Sequence, residues 1–119
     1  MLKQTASDKY MVKRYLANNV ITAKSVYPLS VVSVEDGCLK SILPFEYETP
    51  NTEYVPGIIV VADRKDCKML DRTLVDLIKK NAVVTIAMIT GLLSQEAESG
   101  NEVVLYAVDM AARMVRTLN

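Results

Sequence analysis

The densest stretch of chemistry-bearing side chains is residues 44–57, PFEYETPNTEYVPG. Phe45, Tyr47 and Tyr54 supply aromatic walls, and Asn51 and Thr52 supply neutral polar groups that orient a ligand. Glu46, Glu48 and Glu53, with Asp36 nearby, supply carboxylates suited to proton transfer or to holding calcium. They lack the spacing of a calcium loop and the glycine its sharp turn needs, so a solvated acidic loop is the simpler account of them. If the segment binds anything, the expected contacts are Phe45, Glu46, Tyr47, Asn51 and Tyr54, and the ligand is a small molecule. The competing reading is a well-packed loop that covers a sheet edge.

Other chemistries are removed by what the chain lacks. It contains no histidine, which takes away the commonest general base near neutral pH and the commonest neutral metal ligand. Ser-His and Cys-His nucleophile pairs and histidine zinc sites go with it. Cys38 and Cys67 are too far apart for a CxxC motif and have no base beside them in sequence, so both read as structural. Asp63, Asp66 and Asp71 suit helix capping and surface charge as well as they suit a cation. The four glycines are isolated, so no phosphate-cradling loop exists, and no GxSxG elbow occurs. We therefore expect no catalytic residues, no metal and no cofactor.

Fourteen basic residues balance fourteen acidic ones. Zero net charge gives no electrostatic reason to expect nucleic acid or an anionic membrane. The positive excess in residues 1–35 (Lys3, Lys9, Lys13, Arg14 and Lys24 against Asp8 and Glu35) and the negative excess in residues 36–60 read as solvated faces. The longest apolar run, Ala82 to Leu93, is too short to span a bilayer. The N-terminus does not read as a secretory signal. Two free thiols and no export signal point to the cytoplasm.

A length of 119 residues, half of them apolar, fits one domain with its own core. The first half reads as β. Tyr15 to Thr22 and Leu29 to Val34 are β-prone, and Asp36-Gly37 between Leu29–Val34 and Cys38–Leu43 is a strong hairpin signal. Pro44, Pro50 and Pro56 make residues 44–57 loop-like. Ile58 to Val61 (IIVV) reads as a strand buried on both faces. Met69, Leu70, Thr73, Leu74, Leu77 and Ile78 form one helical stripe. Asp63 or Asp66 caps its start, Lys79 and Lys80 suit the dipole at its end, and Asn81 is the stop. Ala82 to Thr90 reads either as a buried strand, completing a βαβ crossover, or as a buried helix through Gln95. Glu102 to Leu118 reads either as a helix or as a strand over Val103–Val108 followed by irregular chain.

Residues 13–61 resemble the N-terminal edge of amidohydrolase-superfamily enzymes. There a strand leads to a hairpin of the type VLIEDGRIVAIG and then to VLPGFIDxHxH. Here Tyr15–Thr22 resembles the first strand, Ser33–Ile42 (SVEDGCLKSI) the hairpin, and Tyr54–Ile59 (YVPGII) the return toward the family's barrel. Counting on from Pro56-Gly57, the family's aspartate and two metal-binding histidines fall on Val60, Ala62 and Arg64, none of which reproduces that site. The remaining chain is also too short for a barrel of roughly 200 residues. The resemblance implies the family's small β accessory module without its catalytic half.

These readings predict an α+β fold of one domain, 1–119. A small antiparallel or mixed sheet with the Asp-Gly hairpin packs against a helix at 66–80 and a helical or mixed C-terminal segment. The expected core is Val32, Val34, Leu39, Ile42, Ile59, Val61, Leu70, Leu74, Ile78, Val84, Ile86 and Leu105. The expected function is a non-catalytic interaction or assembly module, working as a homo-oligomer or with a protein partner. The alternative is a small-molecule-binding module built on residues 44–57.

Overall fold

A computed structural model describes residues 12–47 and 51–119. Among these residues the fold is a mixed seven-stranded sheet with two α-helices. β1 (Val12–Ile21), β2 (Val26–Glu35) and β3 (Cys38–Pro44) form an antiparallel meander. The β2–β3 turn is the expected one, with Asp36 at φ 53° and Gly37 at φ 77°. β4 (Thr52–Tyr54) and β5 (Ile58–Asp63) then run parallel to β1, one after the other, on its second edge. A 3-10 turn, Arg64–Asp66, leads into α1 (Cys67–Lys80). α2 (Ile86–Thr90), β6 (Val103–Asp109) and β7 (Met114–Thr117) complete the chain. The strand order is β3-β2-β1-β5-β6-β7, with β4 beside β1.

β5 is the hinge of the architecture. Its run of apolar residues is buried on both faces because each face meets a different core. Ile59 and Val61 join Tyr15, Val32, Val34, Leu39, Val103 and Leu105 inside the curl of the sheet. Val60 and Ala62 join Val104, Tyr106 and Val108 under Leu70, Leu74 and Ile78 of α1. Those three helix residues repeat every four positions and are at most 1% exposed. Burying each stabilises the fold by about 1.5–3 kcal/mol. Met69, on the margin of the same stripe, is 70% exposed.

Among the described residues no helix covers the inner core; the sheet curls far enough for β3 to return to the start of β6. Leu39 N–H donates to the Asn101 carbonyl at 2.9 Å, and Gly100 N–H donates to the Leu39 carbonyl at 2.7 Å. Val103 N–H donates to the Gly37 carbonyl at 2.9 Å. The Ser99 hydroxyl adds a bond to the Lys40 carbonyl. Beyond this seam the Asn119 side chain stands in for a strand on β6, accepting from Leu105 N–H at 2.8 Å and donating to the Val103 carbonyl at 3.0 Å.

β1 and β2 both exchange faces partway along. Tyr15 and Ala17 point to the inner core and so does Val20, an odd step in a period-two strand. Across from them Val34 and Val32 point inward, and then Tyr27. The exchange falls at Asn19 opposite Pro28, next to Leu29 at φ 36°. Between β4 and β5 the chain makes a matching adjustment. Val55, fully buried, donates to the Leu16 carbonyl at 2.8 Å. Gly57 follows at φ 94°, with its Cα pressed against the Val108 carbonyl of β6.

Several expectations resolve here. Ala82 to Thr90 is neither a strand nor a helix through Gln95; only Ile86–Thr90 is helical, opened by Thr85, whose hydroxyl accepts from Met88 N–H. No βαβ crossover forms, because β1 already holds the parallel edge of β5 and β6 holds the other. The C-terminal segment is strand rather than helix. Val103 to Val108 are all buried, odd residues in the inner core and even residues under α1. Residues 44–57 are not wholly loop, since Thr52–Tyr54 pair with Arg14–Leu16. Of the expected core, Ile42, Val84 and Ile86 are only half-buried. The helix at 66–80 begins one residue later, at Cys67. Asp63 caps the preceding 3-10 turn by accepting from Lys65 N–H at 2.9 Å.

Candidate functional site

Among the described residues no helix covers the outer face of β2 and β3, nor that of β1 before Ile21. The residues packed against α1 come from β1, β5, β6, β7 and the segments around them, and none belongs to β2 or β3. On this open face a groove of about 260 Å³ lies between the sheet and the chain leaving β3. Arg14 of β1, Val31 and Ser33 of β2 and Leu43 of β3 form its floor, all on the opposite side of their strands from the inner core. Pro44, Phe45, Glu46 and Tyr47 form its overhang. The overhang is held where Phe45 N–H donates to the Leu29 carbonyl at 3.0 Å.

The groove is apolar with one charge of each sign. Leu43 is 59% exposed and Tyr47 70% exposed, while Val31 and Phe45 are half-buried. Among the described residues neither the Arg14 nor the Glu46 side chain has a hydrogen bond or ion pair. A second cleft of about 490 Å³ lies across β1, and Arg14 lines both. Its other walls include Lys13, Tyr15, Asn51 and Glu53. There Arg116 pairs with Glu53 at 3.4 Å and the Tyr15 hydroxyl donates to the Leu118 carbonyl at 3.1 Å. Burial, and then the Glu53 carboxylate, push the Tyr15 phenol above its ordinary range, with Arg116 acting in opposition.

The structure thus divides the residues singled out from sequence. Phe45, Glu46 and Tyr47 share the groove. Asn51, at φ 62°, lines the second cleft instead. Tyr54 lines neither; it is half-exposed, and its hydroxyl oxygen accepts a hydrogen bond from the Asn18 side-chain amide at 3.4 Å. Glu48, Pro50 and the N-terminal charges Lys3, Asp8 and Lys9 lie outside the described residues. Arg14, Val31, Ser33 and Leu43 were not anticipated as groove residues. Strand alternation was the available signal, since each is out of phase with its inward-facing neighbour.

Elsewhere the polar side chains hold the fold together. Asp66, expected as a helix cap, instead receives the Ser94 hydroxyl at 2.5 Å and the Ser94 and Gln95 amides at 3.1 Å. Desolvation pushes its carboxyl up, but these donors outweigh it and hold the group below the usual carboxylate range. Glu96 accepts from the Thr22 hydroxyl and Lys24 N–H, so two carboxylates fasten residues 94–96 to the rest of the chain. The Tyr106 hydroxyl donates to Asp71 at 2.5 Å and lies 3.3 Å from the Cys67 carbonyl, joining β6 to α1. Burial, and then the bond to the Asp71 carboxylate, drive the Tyr106 phenol well above its ordinary range. Cys38 and Cys67 are unpaired and half-buried.

Among the described residues no three His, Cys, Asp or Glu side chains converge as a metal site would require. Among them, too, no helix is long and apolar enough to cross a membrane. The groove therefore offers shape, apolar surface and one charge of each sign. The chain matches no family model, no curated protein and no solved structure.

Proposed function

We propose that the protein is a non-catalytic interaction or assembly module that works through the helix-free face of β1, β2 and β3. The observation that carries this reading is the exposure of Leu43 and Tyr47 beside Val31 and Phe45 around one groove. Single exposed apolar residues are ordinary, but a contiguous set around a concavity is characteristic of a contact surface. No activating pair of side chains lies in the groove, which suits binding rather than turnover. The resemblance to the amidohydrolase β module belongs to the same proposal, since an accessory module without its barrel has contacts rather than catalysis to contribute. Unpaired thiols at Cys38 and Cys67 suit a reducing cytoplasm.

The test is substitution of the two exposed side chains, Leu43→Ser and Tyr47→Ser, with melting followed by circular dichroism as a folding control. Both side chains are largely in water already, so the fold should survive. Binding of an apolar fluorescent dye and self-association by sedimentation should both weaken. If both are unchanged, this face is inert and the reading fails.

A second reading, small-molecule binding, has its own support in the groove's volume and in the Arg14 and Glu46 side chains, which have no partner among the described residues. A thermal-shift screen of small organic ions, repeated on Arg14→Ala, tests it. A stabilising compound whose effect disappears in the variant supports it, and a screen with no hit removes it.

A further inference from the structure

We propose that the occupant of the helix-free face is a second copy of this chain, docked two-fold so that Arg14 of each copy meets Glu46 of the other. This rests on the interaction reading above and names its partner. The argument comes from charge. Arg14 and Glu46 line one groove, yet neither side chain is neutralised by another described residue of its own chain. A two-fold contact is isologous, so whatever residue i meets on its partner, the partner's residue i meets on it. An axis passing between Arg14 and Glu46 therefore pairs opposite charges twice. A uniformly acidic or basic partner satisfies one of the two and repels the other.

Two further features favour the chain's own copy. Its net charge is zero, so no long-range repulsion opposes the approach of two copies. The neighbouring edge is also blunted against strand addition. β3 ends the sheet, but it carries Lys40, paired with Glu35 at 3.2 Å, and it closes with Pro44. Contact is thus directed to the face, where Leu43, Phe45 and Tyr47 supply apolar area beside the charges of Arg14 and Glu46.

Charge reversal tests this in solution on the full chain. Sedimentation equilibrium should find the wild type dimeric. Arg14→Glu and Glu46→Arg should each weaken dimerisation by at least tenfold, because each places like charges at both contacts. An equimolar mixture of the two variants should recover a dimer of wild-type strength, because both contacts again join opposite charges. Circular dichroism melts should show both variants folded. A monomeric wild type, reversals that leave the dimer intact, or a mixture that fails to recover would each overturn the proposal. A monomeric wild type whose dye binding is still lost in Leu43→Ser would overturn the second copy as occupant while sparing the interaction face. Unchanged dye binding in that variant would sink both.

Discussion

Replacing Gly57 with alanine probes the tightest backbone contact described here. A Cβ at this position would lie 2.2 Å from the Val108 carbonyl oxygen and 3.1 Å from Asp109 Cα, both main-chain atoms of β6. Neither can swing away as a side chain does. Relief requires β5 and β6 to separate, which disturbs both cores because Val108 and Ile59 face opposite sides. The φ of 94° adds backbone strain of about 1–2 kcal/mol for an L-residue. Overpacking of this kind costs a further ~1–3 kcal/mol. A loss of about 2–5 kcal/mol is a large share of the ~5–15 kcal/mol that holds a domain together. For 119 residues an unfolding entropy near 0.25 kcal/mol/K converts this to a fall in Tm of roughly 8–20 °C. Gly37 and Gly100 provide the control. Both have positive φ, 77° and 92°, but a Cβ on either meets nothing within 4 Å. Alanine there should cost only the strain, about 4–8 °C. Thermal unfolding by circular dichroism of the three variants decides the matter. If Gly57→Ala melts within error of the other two, the close approach of β5 to β6 is not what this glycine serves.

Three further outcomes are expected. Arg113 reaches from the β6–β7 turn to donate to the Ile78 and Asn81 carbonyls at the end of α1. Arg113→Ala should lower stability by ~1–2 kcal/mol and speed amide exchange in the last turn of α1 before the rest of the helix; uniform exchange would refute the clamp. The depressed Asp66 carboxyl contributes stability that is present above its unfolded value, near pH 4, and is lost as pH falls through the lower folded value. Asp66→Asn should therefore cost about 1 kcal/mol at neutral pH and flatten the acid limb of a Tm-against-pH curve; an unaltered limb would count against the role of residues 94–95 as its donors. Tyr106 has the opposite sign. Its raised phenol contributes stability in full below pH ~10 and loses it as pH climbs toward the folded value. Tyrosinate absorbance should show it ionising only with unfolding, a late component missing from Tyr106→Phe.

Local signals in the sequence carried as far as local physics did. Asp36-Gly37 dictates its own turn, because few residue pairs accept two positive φ values. The stripe of Leu70, Leu74 and Ile78 specifies a helix and the face it buries. Four consecutive apolar residues from Ile58 announce a strand with two cores. What escaped was decided by competition between distant segments. Ala82 to Thr90 has the composition of a strand, but β1 and β6 already occupy both edges of β5. Val104 and Val108 are one helical turn apart and also share one face of a strand, so spacing alone does not separate the two readings. β4 is three residues long among prolines and exists only because β1 offers it an edge. The groove divides in the same way. Its aromatic overhang was visible as a cluster in sequence, whereas Arg14, Val31 and Leu43 converge only once three strands are side by side.

The curl of the sheet has a dynamic corollary. Its two margins are laced by three main-chain bonds and one hydroxyl, linking residues near 37–40 to residues near 99–103. Such a lacing between remote segments forms late in folding, after the meander and the β5–β6 pair have brought the margins within reach. It is equally the place where the cylinder would first gape. Fluctuations that part it admit solvent to Leu39, Ala97 and Val103 without unseating α1, so the two hydrophobic compartments are expected to loosen at different rates.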